Sequence, residues 1–109
     1  MSDLEALTHL VKEFVDARDW SQFHNPKDLA LALSIEASEL NESFLWKKPE
    51  EAKPEKVREE LADVFIYGLL LAQKYDFDIP MIVKEKLAAN AAKYPVEKSK
   101  GNAKKYNEF

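Results

Sequence analysis

Residues 29–40 read LALALSIEASEL, and the fold turns on how that stretch is taken. A helix advances about 100° per residue, which puts Leu29, Ala32, Leu33 and Leu40 on one face, the face that should pack inward. Glu36 points the same way, and Glu39 follows it at helical i, i+3 spacing. The stretch is a core helix that aims carboxylates toward its own interior, and such a placement needs a physical reason.

The chain around it is helical throughout. Two glycines and five prolines in 109 residues leave few places to turn, and periodic apolar residues fill the intervals. Ser2 followed by Glu5 is a capping-box pattern that opens a first helix ending near Arg18, with Leu4, Leu7, Val11, Phe14 and Val15 on one side. Asn25 can cap the second helix, with Pro26 at its first position and Asp28 in its first turn, and this helix is expected to run to about Trp46. The charged segment KKPEEAKPEK then connects to a third helix, from about Pro54 to about Tyr75. Asp78 caps a fourth, which continues to Pro95. Four helices and short loops predict an all-α antiparallel four-helix bundle, with residues 1–95 as a single domain and residues 96–109 as a Lys- and Asn-rich tail without periodicity.

Composition bounds the function. With 46% hydrophobic and 33% charged residues the chain can build a packed core. A net charge of -4 argues against a nucleic-acid partner, because such affinity comes from neutralising many phosphates. The absence of cysteine excludes disulfides, thiol nucleophiles and thiolate zinc sites. Residues 1–10, MSDLEALTHL, lack the pattern of a secretory signal, and the apolar run Val64–Ala72 is far below the roughly 18 residues of a membrane span. The expectation is a cytoplasmic protein with no membrane partner. That same run is apolar on every side of its helix, so it must be covered on every side, and a second copy of the chain is the simplest cover. A homo-oligomer is therefore expected, with Gly68 allowing close approach.

The third helix repeats the acidic spacing: Glu60 and Asp63 stand at i, i+3 beside the stripe of Val57, Leu61, Val64 and Leu71. If consecutive helices pack antiparallel, Glu36 and Glu39 face Glu60 and Asp63. Like charges in contact cost ~4 kcal/mol per pair even at an effective dielectric near 20, so something must compensate. A divalent cation serves when several oxygens converge. An all-oxygen set without a Glu-x-x-His pair favours Mg²⁺, with Mn²⁺ as a substitute. A lone E-x-x-E pair is ordinarily solvated surface; two pairs on the inner sides of successive helices are what raise the signal. Glu42, Glu55 and Glu59 point further outward and read as surface charge.

Trp20, Phe23 and His24 precede the second helix, Trp46 ends it, and Tyr67 follows Asp63 by one turn. Loop aromatics can stack on a planar base or simply fill the core. Lys86, Asn90 and Lys93 recur at i, i+4, i+7 on the fourth helix, placed either to meet phosphate oxygens or to pair with the acids.

Taken together, E36-A-S-E39 and E60-L-A-D63, with DWSQFHNPKDLALAL ahead and FLWKK, DVFIYGLLLA and LAANAAKYP behind, resemble the MazG-like nucleotide pyrophosphohydrolases, particularly the dCTP pyrophosphatase branch. The likeness spans about Trp20 to Pro95. It implies an all-α NTP pyrophosphatase fold and Mg²⁺-dependent hydrolysis of a nucleoside triphosphate to monophosphate and pyrophosphate, as house-cleaning of the nucleotide pool. It also implies assembly as a homodimer or a tetramer built from dimers. By the same resemblance Glu36, Glu39, Glu60 and Asp63 are metal ligands, Trp20, His24, Trp46 and Tyr67 line the base and sugar pocket, and Lys86, Asn90, Lys93 and Tyr94 approach phosphate or sugar. The fuller family pattern begins with two adjacent glutamates, whereas Ile35 precedes Glu36 here. A rival class keeps the bundle and discards the catalysis: a helical nucleotide-binding or regulatory module.

Overall fold

The computed structural model describes residues 2–108, and local chemistry sets its element borders. Helix α1 (Asp3–Ala17) starts at Ser2, whose hydroxyl accepts from the Glu5 amide while the Glu5 carboxylate accepts from the Ser2 amide. Helix α2 (Pro26–Glu42) is capped by the Asn25 side chain on the Asp28 amide, and α4 (Ile79–Lys93) by Asp78 on the Met81 amide. Between them lies α3 (Pro54–Lys74), and α5 (Val96–Ser99) follows α4. Proline stands in the first turn of α2, α3, α4 and a 3-10 turn at Pro49–Glu51, and Pro95 caps α5. All five prolines thus mark helix starts, where a missing amide proton costs nothing.

The C-terminal ends of α1 and α3 use aspartate where glycine is usual. After α1 the Trp20 amide donates to the Val15 carbonyl and the Asp19 amide to Asp16; after α3 Phe77 donates to Ala72 and Asp76 to Gln73. Each is a Schellman closure, which needs a left-handed residue, and Asp19 and Asp76 both take φ 56°. The end of α2 departs from expectation. Its regular hydrogen bonding stops at Glu42 rather than near Trp46, because Ser43, Phe44 and Leu45 donate to carbonyls only three residues back. These tighter turns end in Trp46 at φ 61°.

The chain divides into two compact units, Met1–Phe77 and Asp78–Phe109. In the first, α2 packs extensively along α3, and α1 meets α3 over a smaller area. Val15, Leu29 and Leu70 form the buried centre, with Val11, Tyr67 and Leu71 against it. Leu29 is only 1% exposed, a burial that contributes ~1.5–3 kcal/mol. The Leu29–Leu70 contact also fixes a register: seven residues on from Leu29 is Glu36, and seven back from Leu70 is Asp63. Two helices in contact at both levels run antiparallel.

Much apolar surface stays uncovered by this core. On α3 Leu69, Leu70 and Ala72 are buried, yet Leu61, Ile66 and Phe65 are exposed, the last by 63%. Leu7, Leu10 and Phe14 on α1 and Leu31 and Ile35 on α2 are exposed as well. A Cβ added at Gly68 would meet nothing within 4 Å.

In the second unit, the segment after Pro95 has local structure that sequence periodicity does not announce. Beyond α5, a 3-10 turn at Tyr106–Glu108 sets the Tyr106 ring edge-on to Tyr94 at 6.1 Å, with Lys93 Nζ 5.1 Å from its centroid. Among the described residues the elements are helical throughout, and no helix is long and apolar enough to cross a membrane.

Candidate functional site

The antiparallel register carries the acids together. Glu36 from α2 and Glu60 and Asp63 from α3 each offer a carboxylate oxygen, and these oxygens lie within 4.8 Å of one another. Glu60 is the most enclosed, at 6% exposure, while Glu36 and Asp63 are half-buried. Oε2 of Glu36 and Oε2 of Glu60 are buried without a hydrogen-bond partner. Buried carboxylate oxygens are costly when unpaired, and a cluster with two of them could hold a cation. Glu39 stands outside the tight trio but lies near enough to Glu36 to help raise its carboxyl. An all-oxygen donor set of three or four carboxylates fits a hard divalent ion.

The electrostatics record the crowding. The Glu36 carboxyl is pushed up from 4.5 to about 7, first by burial, then by its hydrogen bond to Glu39 and the charges of Glu39, Asp63 and Glu60. The Tyr67 phenol is also raised, by burial and then by the charges of Glu36, Asp63 and Glu39, so it shares the field of the acids. A folded-state value above the unfolded one means that the native protein binds more protons between the two. In EDTA, stability is therefore predicted to be fully present below pH 4.5 and to decline as pH rises to about 7, through the Glu36 contribution. Urea midpoints across that window check this, and Glu36→Gln should flatten the decline.

Sequence reasoning missed Lys56. Its Nζ lies 2.6 Å from Glu60 Oε1, and hydrogen bonding and charge from Glu60 push its ammonium up. The i, i+4 spacing was readable and Glu60 was already placed on the inner side of its helix; that the Lys56 side chain reaches its carboxylate was not. Ser43 was also missed: it is buried at the end of α2 with Oγ unpartnered, and a lone serine carries no sequence signal.

The expected pocket residues are placed unevenly. His24 is half-buried with Nδ1 lacking a partner. Trp20 packs edge-on against Phe14 at 5.8 Å, with the Arg18 guanidinium stacked on Phe14 and 6.0 Å from the Trp20 ring. Trp46 is 99% exposed and touches little of this chain. Lys86 and Lys93 are exposed and Asn90 and Tyr94 half-buried, all in the second unit. Glu42, Glu55 and Glu59 are exposed, as surface charge should be. An open apolar cavity of ≈ 580 Å³, lined by residues including Phe44, Pro49, Val57, Leu61 and Phe65, contains none of the acids.

Comparison with known proteins agrees on one family. The MazG-like family pattern matches residues 31–109. The chain is 42% identical over 114 residues to dCTP pyrophosphatase 1 of Bos taurus, covering 97% of this chain and 68% of that protein. It is 39% identical to dCTP pyrophosphatase 1 of Homo sapiens, covering 97% and 67%. Among solved structures, a pyrophosphatase from Archaeoglobus fulgidus DSM 4304 superposes with a TM-score of 0.81 at 37% identity, covering 87% of this chain and 94% of that one.

Proposed function

This chain belongs to the MazG-like family, and on that premise we propose that it is a Mg²⁺-dependent nucleoside triphosphate pyrophosphohydrolase. The reaction takes a (d)NTP and water to (d)NMP and pyrophosphate, with dCTP or a related dNTP as substrate and house-cleaning of the nucleotide pool as its purpose. The observation that carries the reading is the convergence of Glu36, Glu60 and Asp63 with two buried carboxylate oxygens left unpartnered.

Glu36, Glu39, Glu60 and Asp63 are the residues that would hold the ion. When bound, Mg²⁺, or Mn²⁺ in its place, would offset charge developing on the phosphate oxygens during in-line attack. The chain's own part is to fix the geometry: α2 and α3, locked by Leu29 and Leu70, hold the carboxylates at one spacing. A carboxylate of this set accepts the proton of the attacking water, and no covalent intermediate is needed. His24 and Tyr67, half-buried, suit the base and sugar side, and Trp20 and Trp46 offer faces for stacking. Lys86, Asn90, Lys93 and Tyr94 are assigned to phosphate and sugar. Ile35, 49% exposed, stands where a further acid would, so the set runs on four carboxylates.

The assembly proposed is a homodimer or a tetramer of dimers, in which the exposed apolar residues of α1, α2 and α3 are covered by further copies. Exposed Leu, Ile and Phe side chains on three helices support it, because soluble monomers rarely leave large apolar patches in water. Light scattering over a concentration series should show no monomer at micromolar protein.

The test of the activity is pyrophosphate release from a panel of dNTPs with Mg²⁺ and with EDTA. Release with Mg²⁺ that EDTA abolishes supports the reading; no release from any dNTP overturns it.

A further inference from the structure

The acid cluster carries a cation of its own. Among the described residues the salt bridges are Lys12–Asp16 and Lys56–Glu60, and only the second engages the cluster. Its two ends are unlike: the Lys56 side chain is 55% exposed, that of Glu60 8%. Lysine preceding glutamate by four residues is the weaker order on an isolated helix, so helix chemistry alone does not account for a 2.6 Å contact. The need lies with Glu60, enclosed beside Glu36 and Asp63 and with its second oxygen unpartnered.

We infer that Lys56 is the resident counter-ion of the cluster, neutralising Glu60 while no divalent cation is present and displaced when one binds. The inference rests on the metal-binding reading above. A dication entering among the carboxylates meets an ammonium already held at Glu60 Oε1. The lysine has a flexible stem and a head that water readily accepts, so it can leave; buried Glu60 cannot. Breaking the pair opposes metal binding, and removing the ammonium relieves that opposition.

A contrary role would be to orient Glu60 for the metal, in which case loss of Lys56 would weaken binding 10- to 100-fold by the usual measure of such supports. A half-exposed lysine orients poorly, and burial already fixes Glu60, so the charge effect prevails.

The experiment is a calorimetric titration of Mn²⁺, without nucleotide, into wild type, Lys56→Gln and Lys56→Arg, with melting temperatures in EDTA and in Mn²⁺. Lys56→Gln should bind Mn²⁺ about five- to tenfold more tightly and Lys56→Arg as wild type does. The melting temperature of Lys56→Gln should fall in EDTA and recover toward wild type in Mn²⁺. A purely structural lysine would not tighten metal binding on removal. If wild type binds Mn²⁺ and Lys56→Gln binds it no more tightly, this inference is wrong and the metal reading stands. If wild type takes up no Mn²⁺, both are wrong.

Discussion

Asp63→Asn is expected to remove dNTP hydrolysis, by about three orders of magnitude or more, while leaving the helical fold intact. The side chains are nearly isosteric, so α3 keeps its packing, but one of the three convergent carboxylates loses its charge. A bound dication supplies several kcal/mol of transition-state stabilisation, and each ~1.4 kcal/mol lost is a factor of ten in rate. Stability should move the other way. Asp63 repels Glu36, and removing that repulsion should leave the metal-free protein at least as stable as wild type. Glu59→Gln, changing an exposed neighbour outside the cluster, is the control that should retain activity. Full activity in Asp63→Asn would mean the site has been misplaced.

Leu29→Ala should produce the largest loss of stability. Leu29 is the most completely buried side chain of the core, and truncating such a leucine costs ~2–5 kcal/mol through lost transfer energy and the cavity left behind. Against the ~5–15 kcal/mol of a typical domain that is a large share, and a melting temperature lower by about 10 °C or more is expected at fixed protein concentration. Because Leu29 meets Leu70 about two helical turns from the acids and sets their register, activity should fall below the folding transition as well. A loss under 1 kcal/mol would show that the α2–α3 register is held elsewhere.

The sequence was most informative where structure is local. Ser2, Asn25 and Asp78 cap helices by bonds to residues three positions away, and proline geometry is intrinsic, so α1 to α4 could be placed from spacing alone. The meeting of Glu36 with Glu60 and Asp63 was legible for a related reason: helical period fixes the face, and consecutive helices that pack together run antiparallel. Lost to sequence was whatever depends on tertiary burial or on fine backbone choice. Nothing in the pattern after Glu42 distinguishes another helical turn from the tighter bonds that lead to Trp46. Tyr106 has no periodic partner, and its place by Tyr94 and Lys93 arises from chain folding. Lys56 lay in plain view, but which carboxylate its flexible stem reaches is not set by spacing alone. Glu39 was expected as an equal member of the set; the structure places it beside the trio, acting on Glu36.

Crystals of the wild-type protein soaked in Mn²⁺, with data collected for anomalous scattering, test whether these carboxylates hold a dication. An anomalous peak is expected among the Glu36, Glu60 and Asp63 carboxylates, within ordinary metal–oxygen distance of all three. A soaked crystal with no peak there, or with Mn²⁺ bound only elsewhere, would contradict it.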